Sequence, residues 1–260
     1  MALKSTDWTH RTRYAGIHAL LTIGVASLIA ALMFLVWYPE PYRSLSGGLQ
    51  LFMILLLVDV TLGPFATMVV SSPSKPSREW RTDMVFIVLL QLAALSYGMW
   101  TVYQARPVYL AFEIDRFRTI HATDVPISLL SKAPSGFQFL PTMGPKWVAV
   151  RPFRNEQERI DATLAALGGV SLGARPDLWM PYEDAIQMVL KVAKPIEGLL
   201  SREPARRTLI LKTIEAAKLP QVDALYLPLA GRQDFWTVVL SAHTGEPVAY
   251  LPIDPYGPER

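Results

Sequence analysis

Residues 49–70, LQLFMILLLVDVTLGPFATMVV, are long and apolar enough to cross a bilayer, and they carry Asp59 near their middle. Two further apolar runs of comparable length, 17–38 and 84–103, stand on either side of them. At about 1.5 Å of helical rise per residue, each run matches a hydrocarbon core of roughly 30 Å. Backbone polar groups inside lipid have to be satisfied within the chain, so these runs predict three spanning helices. Everything after Gln104 has the composition of a water-soluble chain. The expected fold is a membrane protein with a three-helix transmembrane domain over 1–104. A soluble α+β domain with an antiparallel sheet is expected over 105–260.

Charge placement sets the orientation. Lys4, Arg11 and Arg13 precede or open the first run, and Lys75, Arg78 and Arg81 lie between the second and third. Arg43 alone falls in the 39–48 loop. Short basic loops stay in the cytoplasm, which puts the N-terminus there and the C-terminal domain across an inner membrane, in the periplasm of a Gram-negative cell. The first run outlasts the roughly 7–15 apolar residues of a signal peptide and has no small-x-small cleavage site, predicting an uncleaved anchor. Trp37-Tyr38-Pro39 and Trp100 with Tyr103 read as interfacial aromatic belts.

A carboxylate at bilayer mid-depth costs roughly 3 kcal/mol on insertion scales, so Asp59 asks for a partner or a role. Asp59, Gly63 and Thr67 are spaced i, i+4, i+8 and share one helix face. That face is small and polar, and lets another helix approach closely. Pro64 removes a backbone donor and predicts a local kink. Rise arithmetic sets Ser27, Ser96 and Tyr97 near the depth of Asp59, and Gln91 near Gly63. Two readings follow: the stripe holds this chain's own spans together, or it docks a foreign transmembrane helix. An ion relay would need a chain of ionisable partners that these runs do not contain.

In the C-terminal part, alternation over Val108, Leu110, Phe112 and Ile114 predicts a half-buried strand, and 146–153 (KWVAVRPF) another. Asn155 with Glu158 reads as a capping box opening a helix with the stripe Ile160, Leu164, Leu167. Trp179, Tyr182, Ile186, Val189, Leu190 and Ala193 predict a second helix, and 205–218 a third. Strands at 224–229, 234–242 and 247–253 follow, the last two joined by a Thr244-Gly245 turn.

Catalytic and cofactor signatures are weak. Gly169-Val170-Ser171-Leu172-Gly173 matches G-x-S-x-G, with Asp223, Asp234 and His243 downstream, which would make a membrane-anchored periplasmic hydrolase acting through Ser171. The elbow needs a strand before its serine and a helix after it; here a helix is predicted before. The four histidines are scattered, there is no cysteine, and no glycine-rich phosphate loop occurs, so no metal or cofactor is expected. Residues 105–260 carry 18 Lys+Arg against 17 Asp+Glu, which leaves no nucleic-acid footprint. Arg202, Arg206 and Arg207 read as a solvated face, and Trp147, Trp179 and Trp236 as core.

Trp37-Tyr38-Pro39, Asp59-x-x-x-Gly63-Pro64-x-x-Thr67, Ala105-Arg106-Pro107-Val108 and Glu113-x-Asp115-Arg116-Phe117 together resemble the TfpX/TfpZ family of type IV pilin accessory proteins. Arg175-Pro176 and Trp179 with Tyr182 extend the likeness into the C-terminal half. The resemblance implies a non-catalytic inner-membrane protein that stabilises the major pilin, or modulates its assembly into a pilus. The implied partner is a single hydrophobic helix bearing a periplasmic head. A docking face in the bilayer and a head-binding domain outside would suit it, joined by the short connector Gln104–Pro107. A structural or sensory membrane subunit unrelated to pili is the remaining alternative.

Overall fold

The computed structural model describes residues 5–72, 74–232 and 234–257, so Lys4 of the basic lead lies outside the described residues. The chain divides into two compact units. The first, Met1–Val36 with Gly48–Gln104, is mainly helical among its described residues. It contains α1 (Ser5–Leu32, continued by a π-turn over Met33–Trp37), α3 (Gly48–Val70) and α4 (Ser77–Gln104). Three helices, Trp8–Trp37, Gly48–Val70 and Ser77–Gln104, are long and apolar enough to cross a membrane. Their outer faces carry exposed Leu20, Leu28, Leu57, Phe65, Phe86 and Leu90, an apolar surface of the kind a spanning helix turns to lipid.

The second unit joins Ala105–Arg260 to the loop Trp37–Gly47. Its centre is a sheet in the order β4-β3-β1-β2-β6-β7-β8, with β5 added against β6. The strands are β1 (Pro107–Glu113), β2 (Arg116–His121), β3 (Lys146–Val150), β4 (Trp179–Met180), β5 (Lys194–Pro195), β6 (Ala224–Ala230), β7 (Phe235–Ser241) and β8 (Pro247–Leu251). The sheet is mixed, not antiparallel as expected. β1 lies parallel to β3, and β2 parallel to β6, while the remaining pairs are antiparallel. Parallel neighbours need a long crossover, and the helical excursion between β2 and β6 supplies one.

Both faces are covered. On one, Leu110, Phe112, Phe117, Leu227, Leu229, Val238 and Leu240 pack with Tyr182 and Val189, the latter on α6 (Ile186–Val192). On the other, α7 (Ile196–Arg202) and α8 (Arg207–Ala216) cover Tyr226, Val239 and Leu251. Farther along that face, the segments around Val125 and Ala174 and Trp179 itself cover Tyr109, Ala111, Ile120 and Val148.

Coverage on both sides explains several departures from the expected pattern. β1 is buried along its whole length rather than on alternate residues, and Ile114 is an exposed hairpin residue instead of an inward one. Trp179 belongs to β4, paired with Val150, and Pro181 keeps it out of a helix, so α6 is shorter than predicted. Asn155 does cap α5 (Glu156–Leu167), accepting from the Glu158 amide at 2.8 Å. Yet α5 turns Ala162 to the core and leaves Leu164 and Leu167 exposed. Arg202, Arg206 and Arg207 are exposed, as the solvated face read from the sequence requires, and the first two also donate to the Pro255 and Pro252 carbonyls, stapling the C-terminal tail over α7 and α8. α7 was not foreseen, because a two-turn helix gives little periodicity to read.

The loop between the first two long helices is part of this domain. Tyr38 and Leu45 are fully buried and Tyr42 nearly so, the last two on the α2 turn (Tyr42–Leu45) that joins the sheet core. The Arg232 amide donates to the Leu45 carbonyl at 3.0 Å. Burial pushes the Tyr38 hydroxyl up to about 12. Tyr38 is thus not an interfacial belt residue.

Two carboxylates in this domain sit well below their ordinary range. Arg151 grips both oxygens of Glu158 (2.9 and 2.6 Å) and the Arg154 amide adds a third bond, bringing it to about 2. Burial raises Asp124, but the amide and ring of His121, with Arg232, outweigh it and bring it to about 2. A depressed carboxylate stabilises the fold above its unfolded value near 4, and that contribution is lost as pH falls through the folded value. Acid titration followed by circular dichroism should therefore show stability falling most steeply between about pH 4 and about pH 2. Glu158→Gln should flatten that limb.

Candidate functional site

In the helical unit, α3 packs against both α1 and α4, and the residues it buries are Gly48, Phe52, Asp59, Gly63 and Thr67. The stripe read from the sequence is therefore the inward face of α3, which runs through Pro64 without a break. Its members have different surroundings. Thr67 Oγ1 meets His18 Nδ1 of α1 at 2.5 Å. At Gly63 a Cβ would stand 2.0 Å from Gln91 Nε2, so the bare glycine makes the room that the Gln91 side chain of α4 fills. Gln91 Nε2 also donates to the Asp59 carbonyl at 3.4 Å. Gly98 makes a second close approach, against Leu55.

One end of the bundle is tied by polar contacts. Arg11 donates to the Met68 and Val69 carbonyls at 3.2 and 3.0 Å, serving backbone oxygens left open where α3 ends. Trp80 Nε1 donates to Ser71 Oγ at 3.2 Å, and its ring meets Tyr14 edge-on. The Gln91–Gly63 level matches the depth arithmetic, but His18, Arg11 and Trp80 as partners of α3 were not legible. Which side chain reaches across depends on helix rotation, which composition does not reveal.

The three helices do not close completely. A cleft of about 430 Å³ opens between them, lined mainly by aliphatic side chains with His18, Thr67, Gln91 and Trp80. Asp59 lines it too, largely buried, and among the described residues no hydrogen bond or ion pair reaches its carboxylate. Gly63 and Thr67 are occupied by α4 and α1; Asp59 is left facing the cleft. Tyr97, placed by rise arithmetic at the same depth, points outward and is exposed.

In the sheet domain, Ser171 does not sit on an elbow. α5 and a Gly168-Gly169 turn precede it, and a single 3-10 turn, Leu172–Ala174, follows. Asp223 and His243 do pair at 3.3 Å, with His243 largely exposed. Gly173 serves packing: its amide donates to Glu113 Oε1 and its carbonyl accepts from Trp179 Nε1.

Three helices of membrane-spanning length, a mainly aliphatic cleft among them that Asp59 lines, and a separate mixed-sheet domain define the class of molecule. The signature of the family described as fimbrial assembly protein FimB matches residues 6–47, taking in α1 and the loop that enters the sheet domain. The chain is 35% identical over 230 residues to the fimbrial assembly protein of serogroup I from Dichelobacter nodosus, spanning 88% of this chain and 90% of that one. The serogroup E1 protein matches equally, and that of serogroups C1 and C2 is 40% identical over 121 residues, 46% of this chain and 92% of the relative. No solved structure matches the chain. The chain belongs to the fimbrial assembly protein family. The likeness to type IV pilin accessory proteins, read from residues 37 to 117, holds at that level.

Proposed function

We propose that this protein acts in the inner membrane on the major pilin, holding its transmembrane helix in the cleft between α1, α3 and α4 before assembly. The sheet domain then lies in the periplasm, where it engages the pilin head, and the action is chaperone-like and non-catalytic. The observation that carries this reading is the Asp59 carboxylate, largely buried in a cleft among helices of membrane-spanning length and without a hydrogen bond or ion pair among the described residues. A lone carboxylate at that depth is costly, and a polar or positive group on an incoming helix offsets the cost. Gly63 and Thr67 shape the cleft by holding α4 and α1 close to α3. The basic 71–83 loop and the N-terminal arginines support the cytoplasmic assignment of their side.

The test is photo-crosslinking to pilin in native membranes from a probe at Leu56, which lines the cleft. Asp59→Leu should reduce capture about tenfold, the loss expected for about 1.4 kcal/mol of helix–helix contact, and lower piliation with it. Unchanged capture and unchanged pili in Asp59→Leu would sink the proposal.

A further inference from the structure

Several segments meet at one end of the sheet. Pro107 opens β1 opposite His121, the last residue of β2. β6 runs parallel to β2 with Ala230 level with Arg118, so the chain after Ala230 continues toward that same end. There Arg232 donates to Asp124 Oδ1 at 2.8 Å, and its amide holds the Leu45 carbonyl. The Ala122 amide donates to the Arg106 carbonyl at 3.0 Å. β3 enters from this end too, Lys146 standing beside Tyr109 in parallel register. The domain's covalent links to the long helices, next to Trp37, Gly47 and Ala105, therefore belong to segments gathered at this end.

The segment before β3 is pinned here. Arg106, 4% exposed, donates from Nε and Nη2 to the Pro141 carbonyl at 3.1 and 2.9 Å. Phe137 packs on Tyr109 and Trp179 with ring centroids 6.1 and 6.4 Å apart. A loop so anchored has no need to expose large apolar groups, yet Phe139 is 86% and Met143 75% exposed. Ile127, on the turn just before, is 79% exposed. Lys132 and Lys146 are exposed beside them.

Covalent connectivity limits how far this surface can lie from the end of α4. α4 ends at Gln104, two residues before Arg106. At about 3.5 Å per residue plus the reach of an arginine, Pro141 lies within roughly 15 Å of the point where a spanning helix ends. The headgroup zone is itself several ångströms deep, and apolar side chains of interfacial segments enter it by about 5–10 Å.

We propose that residues 127–143 form a membrane-surface foot, in which Phe139, Met143 and Ile127 seat at the boundary of headgroups and acyl chains. Lys132 and Lys146 stand at headgroup level, where anionic lipid favours them. The occupant of this surface is the bilayer, and the foot orients the sheet domain against it independently of any client.

The chain has no cysteine, so single cysteines report cleanly. Phe139→Cys, Met143→Cys and Val222→Cys would each carry an environment-sensitive fluorophore in the full-length protein, in nanodiscs with and without lipids bearing a nitroxide high on the acyl chain. Val222 is 82% exposed but sits just ahead of β6, at the far end of the sheet. Labels at 139 and 143 should shift to the blue and be quenched roughly twofold by the nitroxide lipids, while 222 stays water-like. Water-like emission at all three positions overturns the proposal. Shielding of 139 that arises only when purified pilin is added also overturns it, assigning the loop to a protein partner.

Discussion

A fragment that begins at Ala105 is expected to lose cooperative unfolding, and one carrying Trp37–Gly47 through a flexible linker to regain it. Tyr38, Tyr42 and Leu45 are 0–4% exposed. Each such side chain contributes about 1.5–3 kcal/mol by leaving water, or roughly 4.5–9 kcal/mol together. That rivals the whole net stability of an ordinary domain, about 5–15 kcal/mol. Without the segment, Leu110, Phe112 and Leu227 lose part of their cover, and the Arg232 amide loses the Leu45 carbonyl. Denaturant unfolding followed by tryptophan fluorescence checks this. Equal midpoints with and without the segment would contradict it. In the full-length chain, Leu45→Ala should cost about 2–5 kcal/mol by the cavity it leaves.

Gly173→Val should be nearly as damaging for a different reason. A Cβ there would stand 2.7 Å from Ala111 Cβ, 2.8 Å from Glu113 Oε1 and 3.1 Å from Ile120 Cδ1. Ala111 is on a central strand and cannot rotate away, so the 170–174 turn must lift off the sheet. Lifting it costs Glu113 one of its partners: the carboxylate is 6% exposed, held by the Gly173 amide at 2.5 Å and Arg118 Nε at 2.8 Å. Trp179 loses the Gly173 carbonyl at the same time. Overpacking plus a half-served buried carboxylate should cost about 3 kcal/mol or more. Gly169→Ala is the control. Gly169 has φ near +93° with nothing within 4 Å of a Cβ, so that change strains the backbone alone and should cost about 1 kcal/mol. Similar midpoints for the two variants would show that the space at Gly173 is not limiting.

The two effects bear on function through the same domain. The outer loop is built into the sheet, so the segment between the first two long helices and the domain after the third share one side of any membrane that the helices cross. That sharing rests on packing instead of charge.

What the sequence determined by itself was whatever a local pattern records. Three apolar runs mark three helices, because length and composition suffice for a span. Asn155 announces the start of α5 through a cap made within four residues. The C-terminal strands and the Thr244-Gly245 turn follow from alternation and a glycine at φ near +70°. The stripe Asp59, Gly63, Thr67 shares a face by helical spacing alone. Only the tertiary structure decided what that face meets: α1 at Thr67, α4 at Gly63 and an open cleft at Asp59. It also set β1 parallel to β3, buried both faces of β1, exposed Leu164 and Leu167, and drew Tyr38 into the sheet domain. Each of these depends on segments tens of residues apart arriving at one place, and hydrophobic periodicity carries no record of which distant segment covers a face.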